Sequence, residues 1–215
     1  MSSDDIFKKT RKEYERGALD ETSIAPDPIA QFRRWFDEAM EAESGEANAC
    51  ALSTVGPDGS PSSRMVLLKS LDDEGLVFFT NYESKKGRQL LENPHAALLF
   101  YWPALERQVR FEGVCSRVTS EDSDSYFRSR PRSAQLGAVV SQQSRVVESR
   151  GIIDSSYASV EAKMGTESIS RPENWGGFKL VPSLVEFWQG RESRLHDRIQ
   201  YEKIDGEWRR DRLWP

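Results

Sequence analysis

The sequence predicts a mainly antiparallel β protein, its strands closed or partly closed into a barrel, with helices flanking them. Five strand candidates fall between Ala49 and Ser116 with only one or two short helices among them. Strand signals return after Gly176 and include Asp205-Gly206, a two-residue hairpin turn. Nowhere do strands and long helices alternate as a doubly wound parallel sheet requires. So many strands would leave exposed edges, and closing the sheet protects them.

The first 26 residues are charged and punctuated by Gly and Pro, with Ile6, Phe7 and Tyr14 as large apolar anchors. They predict a mobile arm or lid ahead of a single domain over 27–215. Asp27-Pro28 supplies an N-cap and a first-turn proline. Ile29, Phe32, Trp35, Phe36, Ala39 and Met40 then mark one helical face, ending near Gly45. Ala49–Val55 reads as a strand closed by Gly56-Pro57-Asp58-Gly59, with Ser62–Leu71 as its hairpin partner. Asp72-Asp73-Glu74-Gly75 turns the chain into Leu76–Thr80. Ser84 caps a short helix to Leu91, Asn93-Pro94 stops it, and strands follow at Ala96–Trp102 and Arg107–Ser116. A helix from Ser120 to Phe127, a break at Pro131 and a polar helix from about Val146 to Lys163 precede strands at Gly177–Leu180, Leu184–Trp188 and Ile199–Ile204.

A net charge of −5 argues against a broad nucleic-acid footprint, although it leaves room for a local cationic pocket. No segment reaches the roughly 20 apolar residues of a membrane span, and no apolar leader opens the chain. Cys50 and Cys115 sit in apolar surroundings and read as reduced, buried thiols, which favours a cytoplasmic setting. Two His and two Cys, scattered, give no metal spacing. The hydrolase elbow, the phosphate-binding P-loop and the dinucleotide fingerprint are absent as well.

Three basic and aromatic places remain. Arg64 and Lys69 lie on or beside a strand, and Lys85-Lys86 opens a helix just after Thr80, where side chains and free backbone N–H groups suit a phosphate. Tyr126, Arg128, Arg130 and Arg132 offer a phenol and guanidinium forks. Trp188 to Arg198 sets His196 among Arg191, Arg194 and Arg198. A solvated face fits each pattern at least as well, and the third also fits a subunit interface.

Seven stretches in order carry a closer likeness: Arg64-Met65-Val66-Leu67-Leu68-Lys69, Phe79–Gly87, Glu106-Arg107-Gln108-Val109, Tyr126–Pro131, Val140–Ser144, Trp175-Gly176-Gly177, and Glu186–Gly190 continuing to Arg194–Arg198. From about residue 27 onward the chain closely resembles the pyridoxine/pyridoxamine 5′-phosphate oxidase family. The resemblance implies a split β-barrel with a smaller helical part, and a homodimer whose FMN sites lie in the subunit interface. It implies FMN held by Arg64, Met65, Val66, Leu67, Leu68, Lys69, Phe79, Thr80, Lys85, Lys86, Gln108, Gln143, Ser144, Trp188 and Arg198. Lys69, Tyr126 and Arg130 are matched to the substrate phosphate. Arg194 and His196 are matched to the catalytic side, beside the pyridine ring, and Arg11 and Tyr14 to a lid. The implied reaction oxidises pyridoxamine or pyridoxine 5′-phosphate with O2 to pyridoxal 5′-phosphate and H2O2, with ammonia from the amine.

Two departures stand out. Ala134 occupies a position where the family commonly has a serine, with Ser133 one residue earlier, and the chain ends Leu213-Trp214-Pro215 instead of Leu-Ala-Pro. Weaker alternatives are a phenazine-pathway flavin oxidase, a non-catalytic FMN- or haem-binding split-barrel protein, and a colourless interaction module.

Overall fold

The computed structural model describes residues 13–43 and 45–215. In chain order these form α1 (Pro28–Ala42), β1 (Ala49–Val55), β2 (Pro61–Leu67), β3 (Ser70–Leu71), β4 (Leu76–Asn81), α2 (Lys85–Glu92), β5 (His95–Trp102) and β6 (Arg107–Arg117). Next come α3 (Ser120–Ser129), α4 (Arg132–Val140), α5 (Arg150–Met164), β7 (Trp175–Gln189), a 3-10 turn (Glu192–Arg194), β8 (Asp197–Ile204) and β9 (Glu207–Leu213). Two compact units arise. The smaller holds the described residues through Asn48 with Leu99–Phe111 and Ser183–Pro215, and the larger holds Ala49–Leu98 and Glu112–Pro182.

Along the sheet the strands follow the hydrogen-bonding order β2-β1-β5-β6-β7-β4-β3. β1 and β2 form the expected hairpin, Ala49 opposite Leu67 and Val55 opposite Pro61. The expected strand from Ser62 to Leu71 is broken, because β2 ends at Leu67 and the Lys69 N–H turns to the Val77 carbonyl of β4 at 2.9 Å. Two strand signals on either side of Val181 instead belong to one strand, β7. Pro182 lies between the ladder to β4, which ends at Leu180, and the ladder to β8, which begins at Leu184, so its missing N–H interrupts neither.

Two helical expectations need correction. α4 was not foreseen: its N-cap is Pro131 with no side-chain cap, Gly137 sits mid-helix, and only Leu136 and Ala138 are buried, so the usual start and periodicity cues are missing. α5 starts at Arg150, not Val146, which places Gly151 in the first turn where it does not interrupt the helix, and it stops at Gly165. α4 and α5 pack around Phe127, Leu136, Ala138, Ile169 and Trp175, with Tyr157, Val160 and Met164 contributed by α5.

In the smaller unit α1 starts as expected, with the Asp27 carboxylate accepting the Ala30 N–H at 2.8 Å. Ile29, Phe32, Trp35 and Ala39 are buried, but Phe36 is only half-buried and Met40 is exposed, so the buried stripe is narrower than the expected face. Phe32 meets the rings of Phe100 at 4.9 Å and Phe111 at 5.0 Å, and Trp35 meets Phe187 edge-on at 5.2 Å. Leu19 and Ile24 are buried as well, anchors that the sequence reading did not count. β8 and β9 are joined by Asp205-Gly206, both at positive φ (51° and 91°), a conformation that Gly adopts without strain. Among the described residues no helix is long and apolar enough to cross a membrane.

Candidate active site

Each unit carries one cluster of the predicted residues. In the larger unit the pleat of β2 puts Ser62, Arg64 and Val66 on one face. The Arg64 guanidinium donates to Thr54 Oγ1 at 2.6 Å, to the Leu52 carbonyl at 3.1 Å and to Ser62 Oγ at 2.6 Å. Gln89 Oε1 accepts from both Thr54 Oγ1 and Ser62 Oγ, at 2.7 and 2.8 Å, and so braces the two hydroxyls that hold Arg64. At the start of α2 Ser84 caps the helix, and Lys86 Nζ donates to Gln143 Oε1 at 3.0 Å and Thr80 Oγ1 at 3.3 Å.

Among the described residues these cations have no anionic partner. Arg64, Lys69, Lys86 and Arg130 form no ion pair with any described residue. Burial, and after it the charge of Arg64, holds the Lys86 ammonium below the ordinary lysine value, and burial lowers Arg64 as well. A phosphate between them would relieve both effects.

An aromatic wall stands nearby. Tyr126 stacks on Phe79 at 3.9 Å, Phe79 lies near-parallel to Trp175 at 5.5 Å, and the Arg130 guanidinium covers the Trp175 ring at 4.6 Å. Arg130 Nη1 is buried with no hydrogen-bond partner, a cationic donor left for a ligand oxygen. Burial raises the Tyr126 phenol, against the pull of Arg130, so the phenol stays a donor.

A cavity of about 410 Å3 gathers Met65, Val66, Leu67, Lys69, Phe79, Thr80, Lys86, Tyr126, Arg130 and Gln143, together with Pro131, Ala134 and Trp175. Its lining holds three cations and no carboxylate. A larger hollow of about 570 Å3 shares Lys69, Phe79 and Tyr126 but sets the carboxylates Asp72 and Asp122 among Lys69, Arg117 and Lys179, so most of its positive charge is offset within the lining. The smaller cavity is the better anion site. Leu68 is buried outside its lining, Lys85 is exposed at the head of α2, and Ser144 is exposed at a φ of 73°. Arg128 is exposed, while Arg132 donates to the Gly165 and Glu167 carbonyls after α5, which gives it a structural task.

In the smaller unit Trp188, His196 and Tyr14 form an aromatic trio. Trp188 and His196 are 4.7 Å apart, and Tyr14 is edge-on to each at 5.6 Å. His196 Nδ1 accepts the Arg191 N–H at 3.1 Å, which leaves the proton of the neutral ring on Nε2. Burial and then Arg194 depress the His196 pKa below its ordinary value, so the ring is neutral at pH 7. Ser193 and Arg194 have φ of 54° and 62°, two consecutive left-handed residues that aim the exposed Arg194 side chain at a backbone cost. Arg198, opposite Trp188 in the β7–β8 ladder, donates to Glu186 at 2.7 Å and to the Trp214 carbonyl at 2.9 Å. Gln108 is half-buried on β6, and Arg11 lies outside the described residues.

Sequence reasoning named the Trp175 motif and Pro131 without a role for either, and it missed the Thr54–Ser62–Gln89 brace. A Trp directly before two glycines was the available signal for Trp175; the brace pairs two hydroxyls facing each other across the β1–β2 hairpin with Gln89 of α2, and had none.

A cation-lined, carboxylate-free cavity beside stacked aromatics defines a β protein that binds phosphate monoesters carrying flat rings. Comparison with known proteins then narrows the class. Residues 36–164 match the pyridoxamine 5′-phosphate oxidase family, and residues 175–215 match the pyridoxine 5′-phosphate oxidase C-terminal dimerisation region. The chain belongs to the pyridoxamine 5′-phosphate oxidase family. It is 53% identical over 206 residues to a pyridoxine/pyridoxamine 5′-phosphate oxidase of Herminiimonas arsenicoxydans, covering 95% of this chain and 97% of the relative. With the oxidase of that name from Gloeothece citriformis it shares 50% identity over 99% of this chain and 100% of the relative. Among solved structures, PhzG of Burkholderia lata 383, in complex with tetrahydrophenazine-1-carboxylic acid, superposes with a TM-score of 0.88 at 29% identity, covering 95% of this chain and all of that one. A pyridoxamine 5′-phosphate oxidase-related, FMN-binding protein of Nostoc punctiforme gives a TM-score of 0.68 at 22% identity, covering 90% and 99%. The split-barrel fold class is borne out by these matches.

Proposed function

We propose that the protein is an FMN-dependent oxidase that converts pyridoxamine and pyridoxine 5′-phosphates to pyridoxal 5′-phosphate. The observation that carries this reading is the 410 Å3 cavity with three cations, no carboxylate and the buried, unpartnered Arg130 Nη1. FMN and both substrates are phosphate monoesters with a flat ring, and the donor set fits that chemistry.

Arg64 and Lys86 hold the FMN phosphate, held ready by the hydroxyls and amides that already position them. Gln108 and Gln143 offer amides to the flavin edge. Lys69, Tyr126 and Arg130 bind the substrate phosphate, and Arg194 and His196 orient its pyridine ring and reacting C4′ carbon. When bound, FMN supplies a two-electron acceptor that takes a hydride equivalent and passes the electrons to O2, yielding H2O2. The protein therefore needs no nucleophile of its own. Neutral His196 presents an Nε2 N–H, a donor that does not add positive charge beside Arg194. With the amine substrate, water then hydrolyses the resulting imine to aldehyde and ammonia; with the alcohol, oxidation and proton loss yield the aldehyde directly.

In this reading residues 27–215 act as one FMN-binding domain with residues 1–26 as its arm, the chain works as a homodimer through its C-terminal region, and the enzyme is cytoplasmic. The test is purification followed by flavin quantitation, light scattering and peroxide assay with pyridoxamine 5′-phosphate. One FMN per chain, a dimer and peroxide release are expected. A protein that takes up no FMN, or an FMN-loaded protein that oxidises a tetrahydrophenazine carboxylate and leaves pyridoxamine phosphate untouched, defeats the reading.

A further inference from the structure

We infer that Glu106 is a positioning residue that latches the N-terminal arm so that Tyr14 stays against Trp188 and His196. Glu106 lies on the turn before β6, is 2% exposed, and adopts a φ of +56°, a conformation that is unfavourable for any residue with a Cβ. Its carboxylate Oε2 accepts the N–H groups of Glu15 and Arg16 at 3.0 and 3.1 Å, charge-assisted bonds to the two residues that follow Tyr14. Its main-chain carbonyl accepts the Gly190 N–H at 2.8 Å.

Gly190 is the floor beneath Tyr14: a Cβ added there would lie 2.7 Å from Tyr14 Cγ, so the ring rests directly on the backbone. One residue thus fixes both the chain that carries Tyr14 and the surface that receives it. Two further contacts close the clamp. Buried Gln189 donates to the Arg16 carbonyl at 2.6 Å, and Arg16 Nη1 donates to the Ala104 carbonyl at 2.8 Å.

The consequence is preorganisation: an arm already bound in place does not have to be ordered when substrate arrives. This rests on the reading that the Trp188–His196 face meets substrate, so the experiment has one arm independent of it. Arg16-Gly17 is a tryptic site inside the latched segment. In the FMN-loaded enzyme, Glu106→Ala is expected to be cut after Arg16, as seen by intact mass, under conditions that leave the wild type uncut at that bond. Glu106→Gln, which keeps an acceptor oxygen, restores most of the protection. The same alanine variant is expected to raise KM for pyridoxamine 5′-phosphate roughly tenfold, the scale of a lost hydrogen bond to a charged group, with a smaller change in kcat and unchanged FMN content.

Gly190→Ala leaves the carboxylate latch in place and displaces only the ring, so it should raise KM while Arg16 stays protected, which keeps the test open if Glu106→Ala folds poorly. Protection after Arg16 equal to wild type in a folded Glu106→Ala, or cleavage there in Gly190→Ala, overturns the latch, and an unchanged KM in Gly190→Ala overturns the part given to the Tyr14 ring. Absence of turnover in the wild type itself overturns the oxidase reading, and the proteolysis comparison then judges the latch alone.

Discussion

Replacing Arg130 by Met removes the guanidinium and keeps most of the side chain's length and apolar volume. In the ligand-free protein two effects oppose each other. The cation over Trp175, 4.6 Å from the ring, is lost, at a cost of about 0.5–2 kcal/mol. The buried Nη1 without a partner disappears too, which returns about 1–3 kcal/mol. The difference runs from about −1 to about +2.5 kcal/mol, and since ~1 kcal/mol moves Tm by about 2–4 °C at this chain length, apo Arg130→Met should melt at most about 4 °C below the wild type and up to about 10 °C above it.

With substrate the balance changes sign. The proposed bond to its phosphate is charge-assisted and partly buried, worth about 1.5–3 kcal/mol. At about 1.4 kcal/mol per factor of ten, kcat/KM for pyridoxamine 5′-phosphate should fall between roughly tenfold and 150-fold, mostly through KM. FMN content should stay near that of the wild type, because Arg64 and Lys86 are untouched. Calorimetry of the apo protein and steady-state peroxide kinetics of the FMN-loaded protein measure the two halves. A fall in Tm of 10 °C with unchanged KM would mean that Arg130 serves the Trp175 cluster and not a ligand, and the assignment of this cavity to the substrate phosphate would fail.

The other expectations draw on separate parts of the site. Ala134→Ser places a hydroxyl in the cavity lining and should lower KM for phosphorylated substrate by at most roughly tenfold; an unchanged or higher KM would show that Ser133 or water already serves. Arg194→Ala should leave FMN content near wild type and cut kcat/KM at least roughly tenfold, whereas Arg198→Ala should weaken FMN retention first; loss of FMN from Arg194→Ala with normal flavin reduction contradicts that division. Because burial and then Arg194 disfavour the imidazolium, removing Arg194 should also move the His196 pKa up toward its ordinary value, which proton NMR follows in a chain with two histidines, and an unmoved titration counts against the geometry. Burial pushes the Cys50 and Cys115 thiols up to about 12, so native protein at pH 8 should resist a thiol reagent until unfolded; rapid reaction of either would place it at an open surface.

What was legible in advance was local. The Asp27 cap, the hairpin at Asp205-Gly206, the Ser84 cap and the strands β1, β4, β5 and β6 follow from spacing, turn chemistry and alternation, which operate over a few residues. The ordered motifs also carried the family and most of the cavity lining, since residue identity at matched positions needs no coordinates. The chain alone therefore determined the fold class, the phosphate-directed chemistry and the inert, buried cysteines. Other features depended on partners far away in sequence. α4 has no cap and little periodicity, and it owes its place to the cluster around Trp175. Lys69 enters the cavity because the chain leaves β2 for β4, a choice made by a hydrogen bond to Val77. Arg132 and Arg130, alike in sequence, divide between the end of α5 and the cavity according to what each helix end brings near. Glu106 looked like one charge in a motif until packing buried it against Glu15 and Arg16, about 90 residues earlier, because a desolvated carboxylate is stable only where distant donors converge on it.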